Sequence, residues 1–476
     1  MKGKWTIGVA LAVGAVACAA QKTPAARSDI PALMVSDIHF EPFWDPAKVV
    51  QLQAAPASEW KAILAGPDSA DRAQRFSDLE NSCHARGVDT SYALFESSLL
   101  AMRADAADAR FVTVSGDLIA HSFACKYKTL FPQAGPAEYR AFVEKTIEFV
   151  IGSLRAELPG VPVYAALGNN DSDCGDYQLD AHSEFLRATA TIIAGDLPAA
   201  ERRTAEEDFA AGGYFSAALP IPHTRMLVLD DQFMARKYST CGGKPDAQAA
   251  AEQIAWLKQQ LDRARREKEK VWVMAHIPPG VDPYSTATKS GNLCAGKSPQ
   301  MFLSSEAMAE TLAQYGDVIR LAIFAHTHMD ELRLLEPALG GAHGPVAVKL
   351  VPSISPINGN NPAFTVAAVD PATAILADYR VYAASNQTGV GTEWSEEYDY
   401  AKDYHESAFS AAAVGQLIGE FSGDRAAQAP VSQSYLSHYF VGVGARELAP
   451  FWPEYVCALE HDGPDAYRAC VCGSGQ

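Results

Sequence analysis

The amino-acid sequence predicts an α/β fold that ends in a helical extension. Short apolar runs rich in β-branched residues alternate with longer stretches in which apolar residues recur at helical spacing. From about residue 384 the chain becomes polar and rich in tyrosine, and its pattern is mostly helical. We therefore expect a main domain over residues 31–385 and a C-terminal helical extension over residues 386–476.

Six apolar runs are predicted to be strands of the main domain, because each is short and rich in β-branched or aromatic residues. They cover residues 32–36, 111–115, 161–167, 226–230, 271–275 and 319–325. Helices are expected between them, and two clear candidates cover residues 92–103 and 248–268. Three later runs, at 346–351, 364–369 and 374–381, lie so close together that we expect an antiparallel meander.

The N-terminus has the pattern of an export signal. Lys2 and Lys4 give a positive start, and the apolar run at 7–16 is too short to span a membrane as a helix. The segment Ala15-Val16-Ala17-Cys18 is similar to a lipoprotein cleavage site, although leucine is usual at its first position. We expect residues 1–20 to be a lipoprotein signal with Cys18 as lipid anchor, and residues 21–30 to be a tether. Ordinary cleavage one or two residues later is the alternative. The expected location is the bacterial periplasm or outer membrane, or otherwise the medium.

The cysteines and the net charge limit the class of protein. Eight of the nine cysteines follow Cys18, and an even number in an exported chain predicts up to four disulfides. Cys457 should bond Cys470 or Cys472, because either loop would be short. The formal charge of -18 argues against a nucleic-acid scaffold, since phosphate backbones favour basic proteins. A small phosphorylated substrate stays compatible, because bound cations reverse the local field.

Side chains that can bind metal ions follow five of the predicted strands directly. The set comprises Asp37 and His39, then Asp117, then Asn169, then His276, and finally His326 and His328. Open α/β sheets place their sites at the carboxyl ends of the strands, so these loops should converge. Two cations about 3.5–4 Å apart can clamp a phosphoryl group, and one carboxylate can bridge them. The pattern therefore predicts a dinuclear metal site for phosphoryl chemistry.

The order of these blocks resembles the signature of the calcineurin-like metallophosphoesterases. That signature reads Asp-x-His, Gly-Asp, Gly-Asn, His and His-x-His. The block from Gly116 to His121 and the loop 353–364 are similar to the acid-sphingomyelinase-like branch of this family. The cysteine-bearing helical tail is also similar to that of this branch. The resemblance implies a four-layer β-sandwich flanked by helices. In the loop 353–364 we expect Asn358, Asn360 and Asn361 to shape a turn rather than to touch substrate.

The resemblance also implies a role for each site residue. The first metal ion would be held by Asp37, His39 and His328. The second would be held by Asn169, His276 and His326. Asp117 would bridge the two ions, and His121 would act as general acid on the leaving oxygen after attack by a metal-bound hydroxide. Zinc is the metal that the resemblance favours, and the same ligands also accept iron or manganese.

One departure from the family pattern concerns Asn170, which stands where a second histidine is usual. An amide can hydrogen-bond a phosphate oxygen but cannot supply a proton as an acid, so His121 carries more of the catalysis. The sequence Gly-Asn-Asn-Asp at this point is similar to endopolyphosphatase-like members of the branch. Asn170 and Asp171 are equally suited to capping a helix that follows the loop.

Three functions compete on this pattern. The leading one is a phosphodiesterase acting on nucleotide or phospholipid-headgroup diesters of the sphingomyelin type. The alternative is a phosphomonoesterase or polyphosphatase on the same site, for which Lys289, Lys297 and Arg333 are the available cations. A catalytically inactive binding lipoprotein is disfavoured, because such a protein would be expected to have lost ligands and none is missing here.

Overall fold

Two six-stranded sheets form the centre of the molecule. The computed structural model describes Met1, Gly3 and residues 29–337, 343–444 and 448–473. The predicted signal, its Cys18 and nearly all of the predicted tether lie outside the described residues.

The described residues contain strands and α-helices in mixed order along the chain. The strands are β1 (Ile30–Val35), β2 (Val112–Val114), β3 (Val163–Ala165), β4 (Phe215–Ala218), β5 (Thr224–Val228), β6 (Lys270–Met274), β7 (Ile319–Phe324), β8 (Glu331–Leu335), β9 (Val346–Leu350), β10 (Ala363–Val369), β11 (Leu376–Ala384) and β12 (Trp394–Asp399). The helices are α1 (Val49–Ala54), α2 (Trp60–Leu64), α3 (Arg72–Ser82), α4 (Tyr92–Asp105), α5 (Phe123–Leu130), α6 (Pro136–Glu157), α7 (Glu184–Ile193), α8 (Ala199–Gly212), α9 (Gln248–Glu267), α10 (Pro283–Lys289), α11 (Ala307–Ala313), α12 (Tyr400–Tyr404), α13 (Ala411–Gly423), α14 (Pro430–Tyr439), α15 (Trp452–Ala458) and α16 (Pro464–Gly473).

The strand order explains why the loops with the predicted metal ligands meet. The first sheet has the order β12-β11-β10-β1-β2-β3, and the second has the order β4-β5-β6-β7-β9-β8. Strands β1, β2 and β3 are parallel, as are β5, β6, β7 and β9. The six predicted strands of the main domain are all present. Parallel strands end at the same edge, so the loops that follow them lie side by side.

The predicted antiparallel meander is wrong for its first run, residues 346–351, which forms β9 in the other sheet. Strand β9 pairs in parallel with β7 and antiparallel with β8, in the second sheet, whereas β10 and β11 pair in the first. The chain crosses between the sheets after β9, where Ser353 bridges to Ser36. Strand β8 was not predicted, because Glu331 and Arg333 interrupt its apolar character. The two side chains are buried and form an ion pair of 3.1 Å with each other.

Side chains alternate between the two faces of β6 and show how the layers pack. Trp272 and Met274 join the core between the sheets, and the Trp272 ring lies 5.6 Å from the ring of Phe111. Val271 and Val273 face the opposite way, into a separate core that includes Leu257 of α9. Helices α6 and α7 contact β3 of the first sheet. The sandwich of two sheets flanked by helices is therefore confirmed.

The C-terminal segment is helical apart from β12, which extends the first sheet beside β11. Helix α13 packs on β8 and β9 of the second sheet, whereas α12 contacts β11 and β12 of the first. Cys457 bonds Cys470, which confirms the expected local disulfide, and Cys472 reaches back to Cys294. Two further disulfides join Cys83 to Cys125 and Cys174 to Cys241. Within the described ranges, we find no helix with both the length and the apolar character needed to cross a membrane.

Candidate active site

The predicted metal ligands gather where the strands of the two sheets end. Six of them fall into three overlapping groups, and the ligand atoms within each group of three lie within 4.8 Å of one another. The six are Asp37, His39, Asp117, His276, His326 and His328, and His121 shares one group with His39 and His328. The seventh predicted ligand, Asn169, lies in the loop after β3. Its neighbour Asn170 donates its backbone N–H to Asp117 Oδ1 at 2.8 Å. The structure thus brings together residues that are up to about 290 positions apart in the chain.

Five of these residues have a left-handed backbone. The φ angles are 43° at Asp37, 43° at His39, 55° at Asp117, 70° at His326 and 69° at His328. An L-residue in this region costs roughly 1–2 kcal/mol, so surrounding hydrogen bonds must hold it there. Among them, the N–H of Asp37 donates to Gly116 O at 3.1 Å, and that of His39 donates to Asp117 O at 2.9 Å. Strain of this kind is typical of functional sites.

The first half of the cluster contains Asp37, His39 and His328. The Nε2 atoms of the two histidines lie 3.2 Å apart, and His328 Nε2 lies 3.5 Å from Asp37 Oδ1. His39 donates its Nδ1–H to the carbonyl of Ile119 at 3.0 Å. That hydrogen bond fixes the ring and leaves Nε2 to face the cluster, as is usual for a metal-binding histidine.

The second half is built around Asp117. Its Oδ2 lies 3.2 Å from His276 Nε2 and 3.4 Å from His39 Nε2, so this oxygen sits between the two halves. His276 donates its Nδ1–H to Ser115 O at 2.8 Å, which aims Nε2 at the cluster. His326 Nε2 lies 3.1 Å from the hydroxyl of Tyr177. Burial raises the pKa of the Asp117 carboxyl, but His276 holds it well below its ordinary value, so it stays charged.

Buried polar atoms without hydrogen-bond partners indicate whether the cluster is suited to metal ions. Asp37 Oδ1, Asn169 Oδ1 and His276 Nε2 are buried and have no hydrogen-bond partner. A buried polar atom without a partner is costly, whereas oxygen and imidazole nitrogen are good ligands for divalent ions. The donor set therefore fits divalent metal ions, and their binding would satisfy these atoms.

His121 lies beside this cluster and is held by an aspartate that the sequence analysis missed. Its ring stacks on His39, with 4.0 Å between the ring centroids. Asp89 accepts hydrogen bonds from the backbone N–H of His121 at 2.7 Å and from its Nδ1–H at 3.1 Å. Ser355 donates its hydroxyl to the same carboxylate at 2.7 Å. Burial raises the pKa of Asp89, but His121 holds it well below its ordinary value.

Two further buried aspartates shape the loops of the site: Asp171, for which the sequence suggested a helix cap, and Asp231, which it did not single out. Asp171 accepts the backbone N–H groups of Gly168 at 2.9 Å and Leu118 at 2.8 Å, and so ties the loop after β3 to the loop after β2. Asp231 accepts the N–H of Ile277 at 3.0 Å, next to His276. No helix begins at Asp171, so the capping alternative is wrong for this residue. An aspartate in a loop after a strand was visible in the sequence, but the donors that it serves were not.

Asn170 faces Asp117 in this structure. Besides its backbone contact, its side-chain Nδ2 donates to Asp117 Oδ2 at 2.9 Å. Its predicted contact with substrate phosphate stays a prediction. In the loop 353–364, Asn360 donates to Ser355 O at 3.1 Å and so shapes a turn, as expected. Arg333, predicted as a cation of a polyphosphate cleft, is instead buried in its ion pair with Glu331.

This arrangement defines a class of protein: a sandwich of two sheets whose strand ends gather aspartate, asparagine and histidine around one point is built for metal-dependent hydrolysis. A family model described as calcineurin-like phosphoesterase matches residues 30–330, more than half of the chain. The chain belongs to the calcineurin-like phosphoesterase family. It is accordingly a phosphoric ester hydrolase, as the sequence predicted.

Named relatives agree with this assignment. The acid sphingomyelinase-like phosphodiesterase 3b of Homo sapiens is 26% identical over 409 residues, which are 81% of this chain and 81% of that protein. The cyclic GMP-AMP phosphodiesterase SMPDL3A of Rattus norvegicus is 28% identical over 258 residues, 52% of this chain and 54% of that protein. Among solved structures, a dimetal phosphatase from Danio rerio aligns over 77% of this chain and 98% of its own, with 12% identity and a TM-score of 0.38.

Proposed function

We propose that this protein is an exported phosphodiesterase with two divalent metal ions. Its substrates would be diesters of the nucleotide or phospholipid-headgroup type. The observation that carries the proposal is the position of His121 beside the ligand cluster, with its Nδ1–H bonded to a buried carboxylate. The leaving group of such a diester is alkoxide-like. It gains more from a positioned acid than the leaving group of an activated ester does.

The metal ligands follow from the two halves of the cluster. One ion would be held by Asp37, His39 and His328. The other would be held by Asn169, His276 and His326. Asp117 would bridge them, since its Oδ2 lies within 3.4 Å of a histidine nitrogen from each half. Bound there, the ions would neutralise phosphate oxygens and lower the pKa of a water molecule. Zinc suits these donors, and iron or manganese are the alternatives.

His121 would move the proton. Because Nδ1–H is bonded to Asp89, the second ring nitrogen, Nε2, is free to carry a proton toward the leaving oxygen. The Asp89 carboxylate keeps the ring in one orientation, with Nδ1–H bonded to it. Stacking on His39 sets the distance between this acid and the ligand cluster. Asn170 donates hydrogen bonds to Asp117 and so helps to orient this carboxylate. We also propose that Asn170 contacts the phosphate when substrate is bound.

The relatives and the disulfides support the remaining parts of the proposal. Both relatives are named as phosphodiesterases, one of a cyclic dinucleotide and one of the acid sphingomyelinase type. Disulfides persist in oxidising compartments, and four are present here, which supports export. Attachment to a membrane through a lipid at Cys18 is proposed from the N-terminal pattern.

The first experiment compares two chromogenic esters with the mature protein supplied with zinc. We expect faster turnover of bis(p-nitrophenyl) phosphate than of p-nitrophenyl phosphate, and loss of both after chelation. For a diester with an alkyl leaving group, His121→Ala should lower kcat by about 10²–10⁴, the usual contribution of a general acid. The exposed His182 is the matched control, and His182→Ala should retain full turnover.

Three outcomes would change the proposal. A preference for the monoester would favour the phosphomonoesterase or polyphosphatase alternative. Unchanged turnover of the alkyl diester in His121→Ala would remove this residue as the acid. A folded protein that binds no metal under any of these conditions would revive the inactive binding lipoprotein.

A further inference from the structure

Lys237 lies against the ring of Tyr177, which adjoins His326 of the ligand cluster. The hydroxyl of Tyr177 is 3.1 Å from His326 Nε2. The ammonium of Lys237 lies 4.8 Å from the centre of the Tyr177 ring. Since the ring centres of Tyr177 and His326 are 6.1 Å apart, the ammonium lies within about 11 Å of the His326 ring. No sequence motif singled out this lysine.

The backbone on both sides of Lys237 is fixed to residues that touch His326. The N–H of Arg236 donates to Phe302 O at 3.0 Å, and the Phe302 ring packs edge-on against His326 at 5.7 Å. The N–H of Ser239 donates to Tyr177 O at 3.1 Å. The Cys174–Cys241 disulfide closes the same pair of segments a few residues further on. The position of Lys237 is therefore set by the walls of the site.

Lys237 forms no ion pair with the described residues, although the Asp176 carboxylate interacts with it electrostatically. The lysine side chain is exposed, and none of the described residues places a carboxylate oxygen within the 4.0 Å of an ion pair. Asp176 also acts electrostatically on Tyr177, together with Asp117 and Asp282. Asp176 accepts from the Asn169 side chain at 2.6 Å, and Asp282 accepts from a backbone N–H at 2.8 Å. In a chain of net charge -18, an unpaired cation beside the site is available to a ligand.

We infer that Lys237, resting on the Tyr177 ring, forms a subsite for a second anionic group of the substrate. This inference rests on the proposed function and specifies its substrate class. An ammonium binds phosphate as a point charge and repels a quaternary ammonium group. The preferred diesters therefore carry a further phosphate, as many nucleotides do, and a choline headgroup is disfavoured. Lys237 determines specificity and takes no part in the chemical step.

The test uses two substrates that differ by one phosphate. Both are p-nitrophenyl esters of thymidine 5′-phosphate, one with and one without a 3′-phosphate, so the leaving group is the same. The wild-type protein should show a higher kcat/KM for the 3′-phosphorylated ester, mainly through a lower KM. Lys237→Ala should reduce the ratio of the two kcat/KM values by about fivefold, the size of an exposed ion pair. Lys237→Arg should keep the ratio, and Lys237→Glu should reverse it.

Lys244, an exposed lysine of the same loop, provides the matched control. Lys244→Ala should leave the ratio at the wild-type value. The turnover of p-nitrophenyl phosphorylcholine should rise in Lys237→Glu relative to the wild-type protein, because the repulsion has been removed. A ratio unchanged in Lys237→Ala, or reduced equally in Lys244→Ala, would overturn the inference.

A binding measurement separates this inference from the proposed function. Calorimetry of the zinc-loaded protein compares thymidine 3′,5′-bisphosphate with thymidine 5′-phosphate and needs no turnover. If neither ester is cleaved but the bisphosphate binds about fivefold more tightly, and only when Lys237 is present, the subsite stands and the proposed function fails. Equal affinities in the wild-type protein and in Lys237→Ala would refute the subsite whatever the turnover.

Discussion

Replacement of Asp89 by asparagine removes the support of His121 while it preserves the shape of the side chain. Three donors converge on the Asp89 carboxylate: the backbone N–H of His121 at 2.7 Å, its Nδ1–H at 3.1 Å and the Ser355 hydroxyl at 2.7 Å. An asparagine has one acceptor oxygen, so at least one donor would face an NH₂ group instead. The imidazole would lose both its fixed orientation and the negative charge beside it.

The size of the effect depends on the leaving group. A positioned general acid contributes about 10²–10⁴ in rate, and loss of an orienting partner typically costs 10–100-fold. We therefore expect Asp89→Asn to lower kcat by about 10–100-fold for a diester with an alkyl or phenyl leaving group. A p-nitrophenolate leaves without a proton, so its diester should lose less than about threefold. If Asp89 acts through His121, the loss of kcat in Asp89→Asn should therefore depend on the leaving group.

The assay measures kcat for a series of thymidine 5′-aryl phosphates whose phenols span a range of pKa. The plot of log kcat against leaving-group pKa should fall more steeply for Asp89→Asn than for the wild-type protein. Asp45→Asn is the control, because Asp45 is a buried aspartate that accepts hydrogen bonds from Ser69, outside the site. An equal loss for all leaving groups would show that Asp89 acts only through the fold, and an unchanged slope would refute its action through His121.

Three further predictions concern the metal site and the stability of the fold. Gly168→Ala would place a Cβ 2.2 Å from Asp117 Oδ1, so the purified variant should hold less metal, measured by elemental analysis, and lose most activity. Lys349→Met leaves the buried Asp330 without its cation and should lower the free energy of unfolding in urea by about 3–5 kcal/mol. Burial lowers the pKa of His438, but its hydrogen bond to Glu397 and the charges of Glu397, Asp330 and Asp403 outweigh burial and raise the pKa above 6.5. The stability that His438 adds should therefore be fully present below pH 6.5 and decline as the pH passes its raised pKa, which urea unfolding of His438→Gln at several pH values would show.

Each of these predictions has a control and a result that contradicts it. Gly152→Ala adds a Cβ where nothing lies within 4 Å, and full metal content in Gly168→Ala would contradict the steric argument. Lys258 is exposed on α9, so Lys258→Met should unfold like the wild-type protein, and equal stability of Lys349→Met would show that Asp330 is satisfied without it. A stability difference for His438→Gln that grows with rising pH would reverse the assigned sign.

The convergence of the candidate metal ligands could be predicted from the sequence because each stands shortly after a strand. Parallel strands bring their ends to one edge whatever the length of chain between them, so the convergence of Asp37, Asp117 and His276 needs no knowledge of the loops. The supporting residues could not be found in this way. Asp89 lies 32 positions from His121, in a loop of no regular pattern, and its role depends on which donors meet it in space.

The strand pairing shows a second limit of the sequence. Apolar runs identified most strands, but proximity along the chain did not reveal that β9 and β10 belong to different sheets. Strand β8 was missed because Glu331 and Arg333 look like surface residues, and only their mutual ion pair explains their burial. When a strand buries a charged pair, its sequence no longer shows the apolar run or alternation by which strands are predicted.

The C-terminal extension supports the metal site rather than standing apart from it. Strand β8 begins three residues after His328, and Asp330 donates its backbone N–H to Tyr439 O, at the end of α14, at 3.0 Å. Tyr398 of β12 donates its hydroxyl to the Asp330 carboxylate at 2.7 Å. Both contacts come from beyond residue 386, where the sequence pattern changes. Because a ligand shifted by a fraction of an ångström binds metal less well, these contacts to Asp330 would help to keep His328, two positions earlier, in place as a ligand. The change of composition near residue 386 therefore divides the sequence into two segments. It does not mean that the second segment is independent of the site.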